Sequence, residues 1–506
     1  MMDDYKAQVT GDSDDEKSYD EMTDEELIQE AQEKLSTAVD RESEFREEGL
    51  DDLRFARLGE QWPEHIRVQR EKDYRPVLTE NRLPTFIRQV VNDVRKNKPG
   101  IEVTPADDGA DPETARIFNG LIRNIQVQSD FDVATDTAAE SAVSNGFGYF
   151  RINLSDDGRE IKFERIINPF TVFGDPHSEA ADSSDWNCCF VTSMMSRDRF
   201  KSLYKGASEV DWDGQGYTGM EAPWREGNEI MVCEYWKRDQ ITEEWVKLSD
   251  GSWKKAEDIN EAEMFLAGIQ VVEVEERDAW KVTQFLMTGA EVLERNEWPG
   301  MYIPIIPIYG DEINVEGKRY FRSLINPAKD AQRRFNYWMT MGTELVALAP
   351  KAPWIGEEGT FDIDSRWATA NNVTHPYLEY AAGKPPPQRQ GFTNVPAGVF
   401  QEMMNAAEGM KAILGIYDAS LGNRSNETSG VAIKARAAQG DVSTFHFIDN
   451  VTRAIRHAGR VTIDLIQKVY TTERIVRVLG EDMQPQSVKI AAGAPPQEQQ
   501  AMEAQI

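Results

Sequence analysis

The side chains best suited to chemistry stand between positions 175 and 189. Asp175, His177, Asp182 and Asp185 form an oxygen-rich run of the hard donors a divalent cation takes, and a cation held there would activate water for hydrolysis. The spacing matches no defined ligand loop, so a solvated turn is the favoured reading. Cys188 and Cys189 follow. Adjacent thiolates lack the two-residue gap with which a pair reaches one zinc ion, and they read better as small buried apolar side chains. With Cys233 they make three cysteines, which is no disulfide framework and suits a reducing compartment. The histidines at 65, 177, 375, 446 and 457 are scattered, and His446 and His457 lie too far apart on one predicted helix to share a metal. Gly146-Phe147-Gly148 precedes a strand pattern, which makes it a turn; no Gly-x-x-x-x-Gly-Lys-Ser/Thr loop and no His-Glu-x-x-His motif occurs. Spacing therefore assembles no catalytic, cofactor-binding or metal-binding constellation. The remaining polar cluster is the loop from Tyr417 to Ser429, where Asn423, Arg424, Ser425 and Asn426 set one cation among hydrogen-bonding groups. It is longer than most helix–helix connections, and long polar loops commonly touch ligands.

That loop belongs to the stretch from Ser323 to Tyr470, whose pattern predicts helix, Pro-rich insertion, helix, loop and one long helix. Asn326 suits an N-cap and Pro327 the first helical position. Ala328, Ala331, Phe335, Trp338, Gly342, Leu345 and Ala349 then recur at spacings of three and four. Pro350 and Pro353 stop the helix. Helix resumes behind Pro396 with Val399, Phe400, Met403, Ala407, Met410 and Leu414 on one face. Phe335, Trp338, Leu345, Phe400 and Met403 are expected to form a seam between the two rods. In the insertion, Trp354, Phe361, Trp367 and Tyr377 are aromatic anchors of the kind that dominate interfaces. From Gly430 to Tyr470 a third, longer helix is predicted.

Upstream, the first nineteen or so residues are acidic and polar and are expected to be disordered. Thr23 and Glu26 form a capping box that opens a helical region running to Pro63. Helices are predicted over Asn81–Lys96 and Asp111–Gly146, with a short strand at Ile101–Val103. From Gly146 the apolar period changes to two. Tyr149–Leu154 and Ile161–Ile166 around Asp156-Asp157-Gly158 read as a hairpin. Further strand pairs are predicted at Met231–Lys237 with Glu244–Lys247, and at Trp280–Leu286 with Val292–Glu294. Tyr302–Tyr309, alternating Ile with Pro, is confined to an edge or a connector. The fold class is α+β with an antiparallel sheet, followed by a strand at Arg474–Leu479 and a tail from Ala491.

The chain has 506 residues and a formal net charge of -32, with hydrophobic content of 40%, enough for a sizeable core. Such a surface cannot grip nucleic acid by bulk charge, which requires Lys and Arg to release counterions. The N-terminus has no signal-peptide pattern, and no apolar run is long enough to span a membrane.

The order of these elements resembles the portal proteins of tailed double-stranded-DNA bacteriophages, most closely the short-tailed-phage branch. Residues 81–99 (NRLPTFIRQVVNDVRKNKP), Gly146–Ile152 (GFGYFRI), Asn168-Pro169 with Asp175-Pro176 and Asp182–Asp185, Ile303–Gly310 (IPIIPIYG), Asn326–Arg334 (NPAKDAQRR) and Glu427–Ile433 (ETSGVAI) carry the similarity. It implies an acidic N-terminal arm and helices (1–74), an antiparallel-sheet wing (75–322), and a two-helix stem (323–349 and 397–415). It also implies an inserted clip (350–396), a tunnel loop (416–430), and a long kinked helix with crown and tail (431–506). It implies no enzyme and no cofactor. The expected assembly is a closed ring of about twelve copies at one capsid vertex, in the virion after assembly in the host cytoplasm. Its partners would be terminase, then the tail adaptor, with capsid and scaffolding proteins. Double-stranded DNA would pass through the channel in weak, non-specific contact. Family members commonly continue into a C-terminal helical barrel; this sequence ends at Ile506, which leaves the barrel absent or the sequence truncated. A coiled-coil structural or coat protein, and a metal-dependent hydrolase built on the Asp175–Asp185 run, are the rival readings.

Overall fold

The computed structural model describes residues 22–104, 112–210, 212, 229–249, 253–256, 259, 271–348, 353–371, 373–389, 397–416 and 444–470, with strands at 474–479, 485–490 and 502–503. Helix α1 (Asp24–Leu53) starts at the capping box: the Glu26 amide donates to Thr23 Oγ1, and the Thr23 amide donates to the Glu26 carboxylate. A π-helical turn, Arg54–Leu58, ends it at Gly59 in the left-handed region. The helical region expected to reach Pro63 therefore stops earlier, and α2 (Glu64–Lys72) starts behind that proline. An extended strap, residues 75–82, leads to α3 (Leu83–Lys96), whose apolar period is buried from Leu83 through Val94.

The single helix expected from Asp111 to Gly146 is two, α4 (Pro112–Gln128) and α5 (Phe131–Asn145), because Asp130 sits between them at φ +50°. A left-handed residue cannot continue a right-handed helix. The strand expected at Ile101–Val103 pairs with no other strand; the Asn119 side chain holds it instead, accepting from the Val103 amide and donating to the Val103 carbonyl.

Gly146 closes α5 at φ +98°, and β1 (Phe147–Leu154) departs. A Cβ on Gly148 would stand 2.0 Å from the Ala138 carbonyl oxygen, so only glycine lets β1 lie this close to α5. Then come β2 (Ile161–Arg165), β3 (Val172–Phe173), β4 (Cys188–Ser196), α6 (Arg197–Leu203), β5 (Glu229–Leu248), β6 (Trp253–Lys255), β7 (Val271–Met287), β8 (Val292–Trp298), β9 (Ile305–Tyr309), β10 (Asp311–Val315) and β11 (Lys318–Arg322). One sheet has the order β2-β1-β9, with Pro307 on its edge strand. A larger one has the order β3-β4-β5-β7-β8, with β6 added beside β5. Here the expectation needs correction: Met231–Lys237 and Glu244–Lys247 are not a pair. They are parts of one twenty-residue strand, β5, whose partner along its length is β7.

The helix expected at Asn326 opens with a 3-10 turn, Asn326–Ala328, and continues as α7 (Lys329–Leu348). An inserted module closed by β12 (Trp354–Ile355) and β13 (Gln388–Arg389) follows, then α8 (Ala397–Leu414), α9 (Phe445–Val469) and the antiparallel strands β14 (Arg474–Leu479), β15 (Pro485–Ile490) and β16 (Met502–Glu503). The main core joins α3, α4, α5, the β2-β1-β9 sheet and the buried face of α9, from Phe447 to Ile466. The paired helices α7 and α8 have a separate small core of Ala331, Phe335, Ala406 and Met410.

Candidate functional site: the helix pair and the module at its tip

Ser323 sets the entry to the pair. Its hydroxyl donates to Asp52 of α1 and accepts from the amides of Ile325 and Asn326, so Ser323, not Asn326, caps the start. Lys329 Nζ lies 2.5 Å from carboxylate oxygens of both Asp51 and Asp52. This ties the root of α7 to α1. Along the pair, Phe335 is buried, with Met339, Met403 and Ala407 packed around that small core. Trp338 and Leu345 are half-buried. Phe400 stands off the seam expected of it: with Met404 it is exposed on one flank of α8, and Ile413 is exposed on the opposite flank. The reason is the period: positions 399, 403, 406, 410 and 414 already fill the inward face, and position 400 falls just past it.

In the inserted module, Trp354, Phe361 and Trp367 were expected to be outward anchors. They turn to one another instead, Trp354 and Phe361 each edge-on to Trp367 at 5.1 and 5.2 Å. Trp367 Nε1 donates to the Glu379 carbonyl at 2.6 Å. Asp364 accepts from the amides of Arg366 and Glu379 and from the Arg366 guanidinium, and these bonds, that of Arg366 foremost, hold its carboxyl far below the usual range. The three rings thus pack on one another while each stays only half-buried, so part of every ring remains at the surface. Tyr377 does face outward, under the Arg366 guanidinium at 4.3 Å. It is joined on the surface by Ile355, Ile363, Val373 and Tyr380, which the aromatic reading missed. Single apolar residues in a Pro-rich run, Tyr380 included, have no period by which to find them.

The loop carrying Asn423, Arg424, Ser425 and Asn426 lies outside the described residues, as do the first twenty-one positions, residues 431–443 of the expected long helix and most of the tail beyond 490. What is described of that helix, α9, docks on the rest through residues seven apart. Asn450 donates to the carbonyls of Tyr309 and Gly310, His457 packs edge-on to Tyr302, and Asp464 accepts from the Met301 amide.

The Asp175–Asp185 run has a structural use for its oxygens. Asp175 accepts from the amides of His177 and Asn187; Asp185 accepts from Ser178 Oγ and from the amides of Glu179 and Ala180; Asp182 pairs with Arg460. Burial pushes the Asp185 carboxyl up, but those bonds outweigh it and hold it low. Among the described residues no cluster of His, Cys, Asp and Glu could hold a metal ion. Cys188 and Cys189 are buried free thiols on β4, and burial pushes Cys188 up to about 12, so neither is a nucleophile at neutral pH. A cleft of about 420 Å³ between α1, α5 and the Asn168-Pro169 turn is lined by charges already spent on one another, Arg57 with Glu140 and Arg95 with Asp136. No helix among the described residues is long and apolar enough to cross a membrane. What is on offer is a scaffold: two rods with apolar flanks and a small module at their tip.

The comparisons agree with that reading. The model of the phage P22-like portal protein family matches residues 32–506. The portal protein of Acyrthosiphon pisum secondary endosymbiont phage 1 is 23% identical over 517 aligned positions, which cover 90% of this chain and 68% of that protein. With nearly its whole length matched, the chain belongs to the P22-like family of phage portal proteins, virion components through which the phage genome is packaged.

Proposed function

We propose that α7 and α8 are the stem of the portal ring, residues 350–396 its clip, 417–430 the loop bordering the DNA, residues 1–322 mainly its wing and the segment from 431 onward its crown. The ring has about twelve copies, closed head to tail, and is of the short-tailed-phage type. It assembles in the host cytoplasm with capsid and scaffolding proteins, takes terminase on the clip during packaging and the tail adaptor afterwards. The observation that carries this is the pair of unlike apolar flanks on α8, Phe400 with Met404 on one side and Ile413 on the other. A head-to-tail ring needs two different surfaces on every copy, and these two flanks are candidates for them. The acidity fits a conduit: a net charge of -32 per copy repels DNA over about a Debye length, roughly 8 Å at physiological salt, which matters in a narrow channel.

The clip assignment is tested by deletion of residues 361–383. This removes Phe361, Trp367 and the outward Tyr377 and Tyr380 but leaves the β12–β13 closure. The expected result is an unchanged unfolding midpoint for the remainder and loss of tail-adaptor binding by at least tenfold, as for removal of hot-spot aromatics. Unchanged adaptor affinity would reject the assignment. The loop is tested separately with Arg424→Glu. One cation per subunit makes a phosphate contact worth about one unit of salt slope, too little to anchor DNA and enough to slow its escape. Heads packaged in vitro with this variant should fill but lose their DNA severalfold faster once the motor is removed. Retention equal to wild type would make the loop a plain connector.

A further inference from the structure

The strap at residues 75–82 lies along α7 in an arrangement with a definite repeat. The Leu78 amide donates to Thr340 Oγ1, which also reaches the Leu78 carbonyl, both at 3.3 Å. The Glu80 amide donates to Asn336 Oδ1 at 3.1 Å, and the Glu80 carbonyl accepts from Gln332 Nε2 at 2.7 Å. The Arg82 amide donates to Gln332 Oε1 at 3.3 Å. Every second residue of the strap thus meets every fourth residue of the helix. Two residues of extended chain advance roughly 6.6 Å and four helical residues roughly 6.0 Å, so the two repeats stay in step for three rungs. The helix presents side-chain donors and acceptors where a neighbouring strand would present backbone ones.

The row is closed at its far end by charge. Glu344, the next residue at the same spacing, accepts from Arg70 Nη2 at 2.8 Å and Arg75 Nε at 2.7 Å, and Arg70 Nε also donates to the Pro76 carbonyl. The bonds from Arg75 and then Arg70 hold the Glu344 carboxyl below its usual range against the burial that would raise it. Gln332, Asn336 and Thr340 are almost completely buried. By contrast the strap buries little apolar surface of its own: Val77 and Leu78 are only half-buried, Thr79 and Glu80 are exposed, and its other ties are polar, Trp62 Nε1 donating to the Leu78 carbonyl and Asn81 to the Ala56 carbonyl, with the Arg82 guanidinium over the Phe335 ring. Among the described residues the helix pair enters the main apolar core at its two roots, through Ile325 and Ala328 before α7 and Leu414 and Ile416 at the end of α8, and Asn336 Nδ2 of the same polar face also donates to Gln61 Oε1 at 2.6 Å.

We infer that the strap and the polar face of α7 form a releasable brace, locked by Glu344, that holds the helix pair at one angle to the body and lets it swing about its roots when the brace opens. Hydrogen bonds without apolar burial mark the elements that open first. Opening this one breaks neither the main core nor the small core of the pair. The three rungs share one rigid strap and one rigid helix, so they open together.

The test is hydrogen exchange read by mass spectrometry on the assembled full-length protein. In Glu344→Gln, which keeps shape and removes charge, the amides of Leu78, Glu80 and Arg82 should exchange together at least tenfold faster, while those of α5 and β1 stay at wild-type rates. Acceleration confined to the residues around Arg75 would show independent contacts and overturn the inference. Acceleration that includes α5 and β1 would show a general loss of stability and overturn it equally. Thr340→Val, which removes the rung next to Glu344 at constant volume, must give the same three-amide response; if Glu344→Gln does not fold, this variant decides alone. Spin labels at the exposed positions Thr343 and Arg88 read the swing itself, since the native thiols are buried. Glu344→Gln should broaden the label-to-label distance distribution. An unchanged distribution with all three amides deprotected would mean that the strap opens without freeing the helix pair, and the brace would be rejected.

Discussion

Phe400→Glu with Met404→Glu is expected to leave this protein folded and to abolish its ring. Phe400 is 47% and Met404 59% exposed in the single chain, so charges at both positions meet water in the monomer and cost little there. In the ring proposed above, with α8 as a stem helix, the same positions would face a neighbour, and each copy would place its altered flank against the next copy's opposite flank, where Ile413 is exposed. Burying two unpaired carboxylates at every interface costs several kcal/mol per interface even after relaxation. Because a ring closes only if all its interfaces form, the loss is total. Light scattering at micromolar concentration should show the mass of one chain, with the far-ultraviolet circular dichroism unchanged. A ring-sized particle from the double variant would mean that this flank does not face a neighbour, and the stem assignment of α8 would fall with it.

The second large effect is on pH. His457 is buried on α9, with its ring edge-on to Tyr302 and its Nδ1 without a hydrogen-bond partner. Burial pushes its pKa down to about 4; Asp182 pulls it upward, and Arg460 and Arg238 add to the depression. In the unfolded chain it titrates near 6.5. Below that value the unfolded state takes up a proton that the folded state refuses until about pH 4. The docking of α9 is therefore fully present above pH 6.5 and lost progressively as pH falls toward 4, by about 2 kcal/mol at pH 5 and about 3 kcal/mol at the end of the window. His457→Phe keeps the edge-on ring contact and removes the proton. The difference in urea-unfolding free energy between this variant and wild type should shift in favour of the variant by about 2 kcal/mol between pH 7 and pH 5. A difference that is the same at both pH values would place His457 in contact with water.

Local pattern was enough for much of this protein. The capping box at Thr23, the apolar face of α3, the β1–β2 hairpin and the confinement of Ile305–Tyr309 to a sheet edge all follow from short-range causes: a side chain reaching its own backbone, a period of 3.6 or 2, a missing N–H. The acidity was equally legible, and the order of elements led to the family. Other features were settled only by contacts far along the chain. Asp130 broke one expected helix into two through a backbone conformation that aspartate tolerates but does not announce. β5 ran on past the point where its alternation weakens because β7 supplies a partner from Cys233 to its end at Leu248. Trp354, Phe361 and Trp367 pack edge-on against one another while staying half-buried, a mutual contact that aromatic type alone does not announce. The row Gln332, Asn336, Thr340 and Glu344 stands in the sequence at a strict spacing of four, and that spacing does not say whether it is buried. It is buried because a strap some 250 residues earlier brings its backbone alongside, and the identity of a polar row's partner is written in neither segment by itself.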